Sequence, residues 1–429
     1  MTLSRKKFNR QLGLIAAAPS FADLAQTDII EEIHKASTKL SSPDPVANAA
    51  DENFWQTVQK AYNQSSDFVN LENGYYLPSP TVVTDALIEK TKEINSLTSF
   101  YMRKRMIDER YAVRKKVAAF SGVPVEELLL MRNTTEALDT VILGLNIKPG
   151  DEILLATTEY PNMVASWDMR SKRFGITLKK IVLPLAAGNE EIVKAYEKNI
   201  TANTKYILIS HIMNVNGQIL PVKRVSDLAR KHGIEVICDA SHSFVHVDYK
   251  LPDLNVDYFG TSLHKWMGAP LGSGFLQIKK EKIKNVWPLF GDNQRADDDI
   301  EKFETIGTAP WGIYLAIEDA LNFHQTIGTK RKEERLRYLK NYWVDKVRDV
   351  PNIIFNTPFN AEQSCAITNF TIQGKDPRQI ADYLFEKHKV FTVAYDRAGI
   401  QGVRVTPNIH NSVQDLDRLV NAIKSFSRS

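Results

Sequence analysis

From about residue 126 onward, short apolar runs alternate with segments whose apolar residues recur at helical spacing. This alternation is typical of a parallel sheet built from βαβ units. The predicted strands cover residues 128–131, 152–156, 206–210, 234–238, 258–261 and 275–278. Helices are predicted over residues 135–145 and 222–232, the second ending at Gly233, a common helix stop. The pattern therefore predicts an α/β domain.

The pattern changes beyond Pro310, where a long helical stretch over residues 311–348 precedes strands and helices in an α+β arrangement. An amphipathic helix over residues 413–426 ends the chain. Near the other end, residues 44–50 are rich in Pro, Ala and Asn and predict a linker, followed by helix-spaced apolar residues at 54–68. The predicted organisation is an N-terminal arm and linker over 26–75, a large domain over 76–310 and a small C-terminal domain over 311–429.

The first 25 residues differ from the rest of the chain. The basic run Ser4-Arg5-Lys6-Lys7-Phe8 precedes the modestly apolar residues 12–18, and residues 20–22 offer a small-x-small cleavage site. The segment resembles a twin-arginine export signal in which Lys6 replaces the second arginine. Export to the periplasm and a cytoplasmic protein with a plain basic arm both stay open.

Composition narrows the classes of partner. The net charge is +4 over 429 residues and no long run of one sign occurs, so nothing favours a nucleic-acid partner. No apolar run approaches the roughly 20 residues needed to cross a bilayer, which predicts no integral membrane segment. Two cysteines cannot form a disulfide framework.

Polar residues follow two of the predicted strands directly. Asp239-Ala240-Ser241-His242 ends one strand, and Thr261-Ser262-Leu263-His264-Lys265 ends the next. Ligands of parallel α/β sheets bind beyond the carboxyl ends of the strands. Either segment alone is weak evidence, because a lone lysine or aspartate after a strand is commonly a surface or capping residue.

Together, the two segments match the requirements of pyridoxal 5'-phosphate. Lys265 can form the Schiff base that holds the cofactor as an internal aldimine, and Asp239 can pair with its pyridinium nitrogen and make the ring an electron sink. Thr134 and Thr135 open a helix after a strand, where free amides and hydroxyls suit a phosphate. A plain capped helix start is the alternative there. Ser262 and His264 can add donors.

The set of motifs resembles the class V aminotransferase family of fold-type I pyridoxal-phosphate enzymes over nearly all the chain after residue 50. The motifs are Thr134-Thr135, Glu159-Tyr160, Asn214, Asp239-Ala240-Ser241-His242, Ser262-Leu263-His264-Lys265, Gly307-Thr308 and Arg404. The resemblance implies a large domain with a mainly parallel seven-stranded sheet between helices, plus a smaller α+β domain. It also implies a homodimer with shared active sites and a small amino-acid substrate.

The same resemblance implies roles for single residues. Tyr160 is expected to stack on the cofactor ring, and Asn214 and His242 to lie near its phenolic oxygen. Thr308 is expected to contact the phosphate bound by a neighbouring subunit. Arg404 is expected on a strand, where its guanidinium can clamp a substrate carboxylate in a bidentate way.

Removal of the Cα proton gives a quinonoid that can lead to epimerisation, loss of a β-substituent or transamination, and fold does not choose among them. The motifs most resemble those of the isopenicillin N epimerase-like branch. Asn73, Tyr75 and Tyr76 are candidates to line the substrate entrance, and a plain turn at Asn73-Gly74 is the alternative explanation of that segment. C–S β-lyase and transaminase activity stay as alternatives. Cysteine desulfurase activity is disfavoured because residues 391–403 contain no cysteine, and Cys365 is predicted to lie in an apolar strand over 365–372.

A metal-dependent hydrolase is the alternative from a different class of function, with His242, His246 and Asp248 as its candidate metal ligands. The histidines are four residues apart, which suits a helix, but neither is followed by a glutamate and no third ligand is evident. The prediction is therefore that no metal is bound. A catalytically inactive relative is disfavoured by the presence of Lys265, Asp239 and Arg404.

Overall fold

The structure, a computed structural model, describes residues 21–428. Its strands are β1 Val69–Asn70, β2 Leu128–Met131, β3 Glu152–Ala156, β4 Thr177–Ile181, β5 Thr204–Ser210, β6 Glu235–Asp239, β7 Tyr258–Ser262, β8 Gly274–Ile278, β9 Ile353–Phe355, β10 Thr368–Ile372, β11 Val390–Phe391, β12 Val393–Arg397 and β13 Ile400–Val405. Its helices are α1 Phe21–Ser37, α2 Pro45–Asn48, α3 Glu52–Gln59, α4 Thr81–Lys104, α5 Met106–Ser121, α6 Thr134–Gly144, α7 Pro161–Phe174, α8 Asn189–Glu197, α9 Val222–Lys231, α10 Leu251–Leu254, α11 Trp311–Leu315, α12 Ile317–Ile327, α13 Thr329–Val347, α14 Pro377–His388 and α15 Val413–Phe426.

A seven-stranded sheet forms the centre of the large domain, in the order β2-β8-β7-β6-β5-β3-β4. Strands β3 to β7 pair in parallel, and β8 runs antiparallel to both of its neighbours. Ile207 and Leu208 are both buried, yet they belong to different apolar clusters, because successive side chains point to opposite faces of the sheet. Helices cover both faces, which explains the continuous apolar runs. This is the expected fold-type I architecture.

The small domain has a four-stranded sheet in the order β12-β13-β10-β9, with every pair antiparallel. Leu339, Phe370 and Leu416 belong to its apolar core, to which α13, β10 and α15 all contribute. The short strand β1 pairs in parallel with β11. Residues 69–70, expected in the N-terminal arm, are therefore paired with the C-terminal part of the chain.

Several predicted element boundaries were wrong. The proposed linker over 44–50 contains the helix α2, which Asp44 caps by accepting from the Val46 N–H. The helix expected over 54–68 ends at Gln59. The stretch 311–348 is three helices, and Gly328, at a positive φ of 88°, separates the last two. The strand predicted to begin at residue 365 begins at Thr368.

Residues 1–20 of the proposed export signal lie outside the described residues, and α1 begins at Phe21. Among residues 21–428, no helix combines the length and the apolar character needed to cross a bilayer.

Candidate active site

A cavity of about 430 Å³ lies at the carboxyl ends of β5, β6 and β7 and at the N-terminus of α6. This is the edge where ligands of parallel α/β sheets bind. The sequence-predicted residues that line it are Tyr75, Thr134, Thr135, Tyr160, Asn214, Asp239, His242, Ser262, His264, Lys265 and Arg404. The structure thus brings together residues that lie up to 329 positions apart in the chain.

Lys265 and Asp239 reach this cavity from neighbouring strands. Asp239 is the last residue of β6, where it pairs with Gly260 of β7, and Lys265 follows the end of β7 by three residues. Desolvation lowers the pKa of the Lys265 ammonium to about 8, with Arg404 also lowering it and Asp239 opposing the shift. A sizeable fraction of this amine is therefore neutral near pH 8, as Schiff-base formation requires.

His242 lies beside the lysine and is held in one tautomer. The Trp266 indole N–H donates to His242 Nδ1 at 3.4 Å, so the ring proton is assigned to Nε2, which lies 3.4 Å from Lys265 Nζ. Burial and the positive charge of Lys265 lower the pKa of His242 well below its usual value, so the ring is neutral. Both contacts are long, and they orient the imidazole and lysine rather than bind them tightly.

A chain of hydroxyls links the carboxylate to the start of α6. Ser241 donates its hydroxyl proton to Asp239 Oδ1 at 2.5 Å, and its backbone N–H donates to the same oxygen at 3.0 Å. Thr134 Oγ1 lies 2.9 Å from Ser241 Oγ and 2.8 Å from Ser262 Oγ. Within the described chain, Asp239 Oδ2 has no protein hydrogen-bond partner, which leaves it for a ring N–H.

The first turn of α6 suits a phosphate. Asn133 caps the helix by accepting from the Glu136 N–H at 2.9 Å, and the Thr134 N–H donates to Ser262 Oγ at 3.0 Å. Within residues 21–428 the Thr135 N–H has no hydrogen-bond partner, which leaves it for an anion. A Cβ on Gly274 would lie 2.5 Å from the Thr261 carbonyl oxygen and 2.9 Å from Asn133 Cα, so only glycine permits this approach of β8 to the cap. The amine, the free carboxylate oxygen and the hydroxyl-rich helix start together fit pyridoxal phosphate.

Tyr160 precedes α7 and lines the cavity with its side chain 37% exposed, an unusual position for a core aromatic. Its neighbour Glu159 is buried and accepts the Ser210 hydroxyl proton at 2.5 Å. Burial is the largest cause that raises the pKa of Glu159 to about 8, and nearby Asp239 adds to it. Glu159 is therefore largely uncharged at neutral pH.

The Arg404 guanidinium, expected to bind a substrate carboxylate, is paired with a carboxylate of the protein itself. Its Nε and Nη2 both donate to the Glu72 carboxylate, with Nε to Oε2 at 3.2 Å, and both side chains are at least 95% buried. Its Nη1 donates to the Asn214 carbonyl oxygen at 2.7 Å. The Asn214 side-chain oxygen accepts from Arg397 Nη2 at 2.6 Å. In this structure Asn214 thus bridges two arginines.

Two predicted residues do not line the cavity. Asn73 is fully buried, and its amide donates to the Thr406 carbonyl at 2.9 Å and the Asn411 side-chain oxygen at 3.1 Å. It therefore joins the chain near residue 73 to the small domain instead of lining the entrance. Thr308 is exposed on the loop before α11 and does not line the cavity of its own chain.

The metal alternative also fails on geometry. Residues 241–247 form turns rather than a helix, and His246 stacks on Trp266 with ring centroids 3.6 Å apart. His246 Nε2 accepts from the Ala366 N–H at 3.0 Å, and its Nδ1 lies 2.7 Å from the His242 carbonyl oxygen. Both ring nitrogens are thus engaged by backbone. Within residues 21–428, no three or more His, Cys, Asp and Glu side chains are arranged to hold a metal ion.

Sequence reasoning missed Arg397, Tyr395, Ser241 and Ser210 as residues of the cavity wall. For Arg397 a signal existed: Ala398-Gly399 is a two-residue turn signal between alternating segments. Pairing across that turn puts residues 395, 397 and 404 on one face of the hairpin. Glu72, whose carboxylate accepts from Arg404, had no comparable signal in the sequence.

The chain belongs to the aminotransferase class-V family, whose sequence profile matches residues 78–419. It is 24% identical over 394 residues to the isopenicillin N epimerase of Amycolatopsis lactamdurans, covering 87% of this chain and 99% of that protein. It is 25% identical over 450 residues to a probable cysteine desulfurase of Mycolicibacterium paratuberculosis, covering 96% of this chain and 65% of that protein.

Among solved structures, a mutant of C-DES with glycine covalently linked to its pyridoxal-phosphate cofactor superposes with a TM-score of 0.77. The identity is 20%, and the match covers 84% of this chain and 97% of that one, so the likeness concerns the fold. Family and fold together identify a pyridoxal-phosphate-dependent enzyme.

Proposed function

We propose that the protein removes the Cα proton of an amino-acid substrate and returns a proton to the opposite face of the same carbon, as an epimerase or racemase similar to isopenicillin N epimerase. The observation that supports this most is the convergence of Lys265 and Asp239 from adjacent strand ends on one cavity. When bound, pyridoxal phosphate supplies the electron sink that stabilises negative charge at Cα. The likeness to the Amycolatopsis epimerase over almost its whole length favours this activity.

Lys265 is the residue assigned to move the proton. Lys265 Nζ would hold pyridoxal phosphate before the substrate binds, and the same amine, once free, would act as the general base at Cα. A pKa of about 8 suits this role, because an efficient base has a pKa near the working pH. His242 Nε2, oriented by the Trp266 indole N–H, lies 3.4 Å from this amine.

The two cysteines of the chain argue against persulfide chemistry, which needs a nucleophilic thiolate on a mobile loop. Cys238 and Cys365 are both buried, and burial raises the pKa of Cys365 to about 12. Neither side chain lines the cavity. We therefore favour exchange at Cα over desulfuration.

Incubation of the holoenzyme with a panel of amino acids in deuterated water tests this proposal. Epimerisation predicts deuterium at Cα together with formation of the opposite configuration. A keto acid with released ammonia would indicate β-elimination, and a keto acid with an aminated cofactor would indicate transamination; either product without inversion contradicts the epimerase proposal. The Lys265→Ala variant is the control and should show no exchange.

We also propose a homodimer with shared sites. Thr308 is exposed, and the nearby loop exposes Trp287 and Phe290 by 71% and 54% of their surface, an apolar surface suited to a partner copy. Light scattering should give a mass of about twice 48.6 kDa. A monomer that is fully active would contradict the proposal.

Export through the leader-like segment is a further proposal, motivated by residues 4–22. Fractionation should find the protein in the periplasm with a new N-terminus near residue 22. An intact Met1 in the cytosolic fraction would contradict it.

A further inference from the structure

A buried lysine of the small domain contacts the residue that directly follows Lys265. Lys332 lies in α13 with 2% of its surface exposed, and its Nζ donates to the backbone carbonyl oxygen of Trp266. Among residues 21–428, no carboxylate lies within 4.0 Å of this amine, so the contact with the carbonyl is not part of an ion pair. The contact connects α13 to the loop that carries Lys265.

The surroundings of Lys332 are unfavourable for a charge. Burial lowers the pKa of its ammonium to about 7. The titratable groups that interact with it are the Cys365 thiol and the imidazoles of His246, His324 and His410, and burial above all keeps these four groups uncharged at neutral pH. A methionine would fill the same space without the cost of desolvating an amine. Packing alone therefore does not account for a lysine at this position.

Trp266 is held both at its backbone and at its ring. Lys332 holds the carbonyl, and the indole stacks on His246 with ring centroids 3.6 Å apart and ring planes 13° apart. His246 Nε2 in turn accepts from the Ala366 N–H at 3.0 Å. Two contacts from the C-terminal part of the chain thus fix the place of the indole.

The fixed indole sets the tautomer of His242. Its N–H donates to His242 Nδ1, so the imidazole proton is on Nε2, which lies 3.4 Å from Lys265 Nζ. A proton on Nε2 can be donated to a neutral amine but repels an ammonium, so this contact favours the neutral form of Lys265. If the indole moves away, His242 can take its other tautomer. Nε2 then accepts from the ammonium and favours the charged form.

We propose that Lys332 is a positioning residue for the cofactor lysine, Lys265. By holding the Trp266 carbonyl, Lys332 keeps the indole N–H on His242 Nδ1. The imidazole then favours the neutral amine that attacks an aldehyde. The competing role is purely structural, in which Lys332 only fastens α13 to the large domain. The inference rests on the role proposed for Lys265 and not on the fate of the substrate.

The pH dependence of cofactor attachment to the apoprotein separates the two roles. The attachment rate should level off near the pKa of Lys265, which is about 8 in wild type. Lys332→Met should raise this pH by about 0.5 to 1 unit, as expected for the loss of one neutral hydrogen bond, and slow attachment at pH 7 about three- to tenfold. A purely structural role would slow attachment equally at every pH or leave it unchanged.

The charged groups that act on the Lys265 amine are Asp239, Arg404 and Glu72. None of them is hydrogen-bonded to Lys332 or Trp266 in the described chain, so every variant keeps them.

Lys340→Met is the matched control. Lys340 lies in the same helix about 12 Å further along its axis, with 3% of its surface exposed, and it donates to Ser364 Oγ at 2.8 Å. Burial lowers the pKa of this lysine too, to about 8. The control removes a buried amine from α13 without loss of a contact to Trp266, so it should keep the wild-type profile. Lys332→Arg, which keeps N–H donors, should keep most of that profile.

Trp266→Phe tests the path through the indole. It removes the N–H while a ring can still stack on His246, and it should raise the levelling pH as Lys332→Met does. The double variant should do no more than either single variant, because both act through His242.

The inference is overturned if Lys332→Met or Trp266→Phe keeps the wild-type levelling pH. It is also overturned if Lys340→Met shifts that pH equally, or if the shifts of the two single variants add. A wild type that attaches no cofactor at Lys265 would refute the role of Lys265 itself, and the positioning role with it.

Discussion

Glu72 and Arg404, 332 residues apart, form a buried ion pair in which two guanidinium nitrogens donate to one carboxylate. Glu72 lies just after β1, and Arg404 lies in β13, so the pair connects the N-terminal segment to the small domain. A Cβ on Gly74 would lie 3.2 Å from two guanidinium atoms of Arg404, which shows how closely this segment covers the arginine. Arg404 lines the cavity, and its pairing with Glu72 joins the N-terminal segment to the small domain behind that wall.

Removing one member of this pair should destabilise the protein more than removing both. Arg404→Met leaves the Glu72 carboxylate buried without a partner, and such losses cost about 3–5 kcal/mol. The double variant, with Glu72→Met as well, should recover most of that loss because no charge stays unpaired. Urea unfolding of wild type, both single variants and the double variant measures the coupling. Strictly additive effects would contradict the finding that the two charges depend on each other.

Attachment of the cofactor to the apoprotein should depend on pH through Lys265. Only the neutral amine attacks the aldehyde, and the pKa of this lysine is about 8. The rate should therefore rise up to about pH 8 and level off above it, falling roughly tenfold per unit below it. Stopped-flow absorbance gives the rate. A rate that keeps rising to pH 10 would mean that the pKa is not lowered.

Gly274→Ala should weaken cofactor binding. A Cβ there would meet the Thr261 carbonyl and Asn133 at less than 3.0 Å, and it would displace the cap of α6 from the hydroxyl cluster. Equilibrium dialysis should give a dissociation constant raised on the order of tenfold, equivalent to about 1.4 kcal/mol. Gly291→Ala is the control, because its Cβ would meet nothing within 4 Å. Equal affinity in the two variants would contradict the close approach.

Glu159→Gln should change how stability depends on pH. The pKa of Glu159 is about 8 in the folded protein and near 4.5 when unfolded, so wild type loses stability as pH rises from 4.5 to 8. The glutamine side chain of the variant cannot titrate. The free energy of unfolding of the variant minus that of wild type should therefore grow by up to about 1.4 kcal/mol per pH unit in that window. Urea unfolding at pH 5 and pH 8 measures this growth.

The exposed Glu197→Gln is the matched control for that experiment and should follow wild type. If the free energies of unfolding of Glu159→Gln and wild type differ by the same amount at both pH values, the Glu159 carboxyl is already charged at pH 5.

The elements that position the cofactor were predictable because their signals are local. The strands ending at Asp239 and Ser262 each place a polar residue directly after an apolar run, and α15 has the predicted bounds 413–426. The Glu72–Arg404 pair and the buried amide of Asn73 were not predictable in this way. Their long-range partners lie more than 330 residues away, and these are brought close by the pairing of β1 with β11 and by the backbone bridge between Glu72 and Thr406.

The central claim is that Lys265 attaches the cofactor in the cavity it shares with Asp239. Reduction of the holoenzyme with borohydride, followed by proteolysis and mass spectrometry, identifies the modified peptide directly. The account predicts a single modified residue, Lys265, and no modification in Lys265→Ala. A cofactor fixed to any other lysine of the wild-type protein would contradict it.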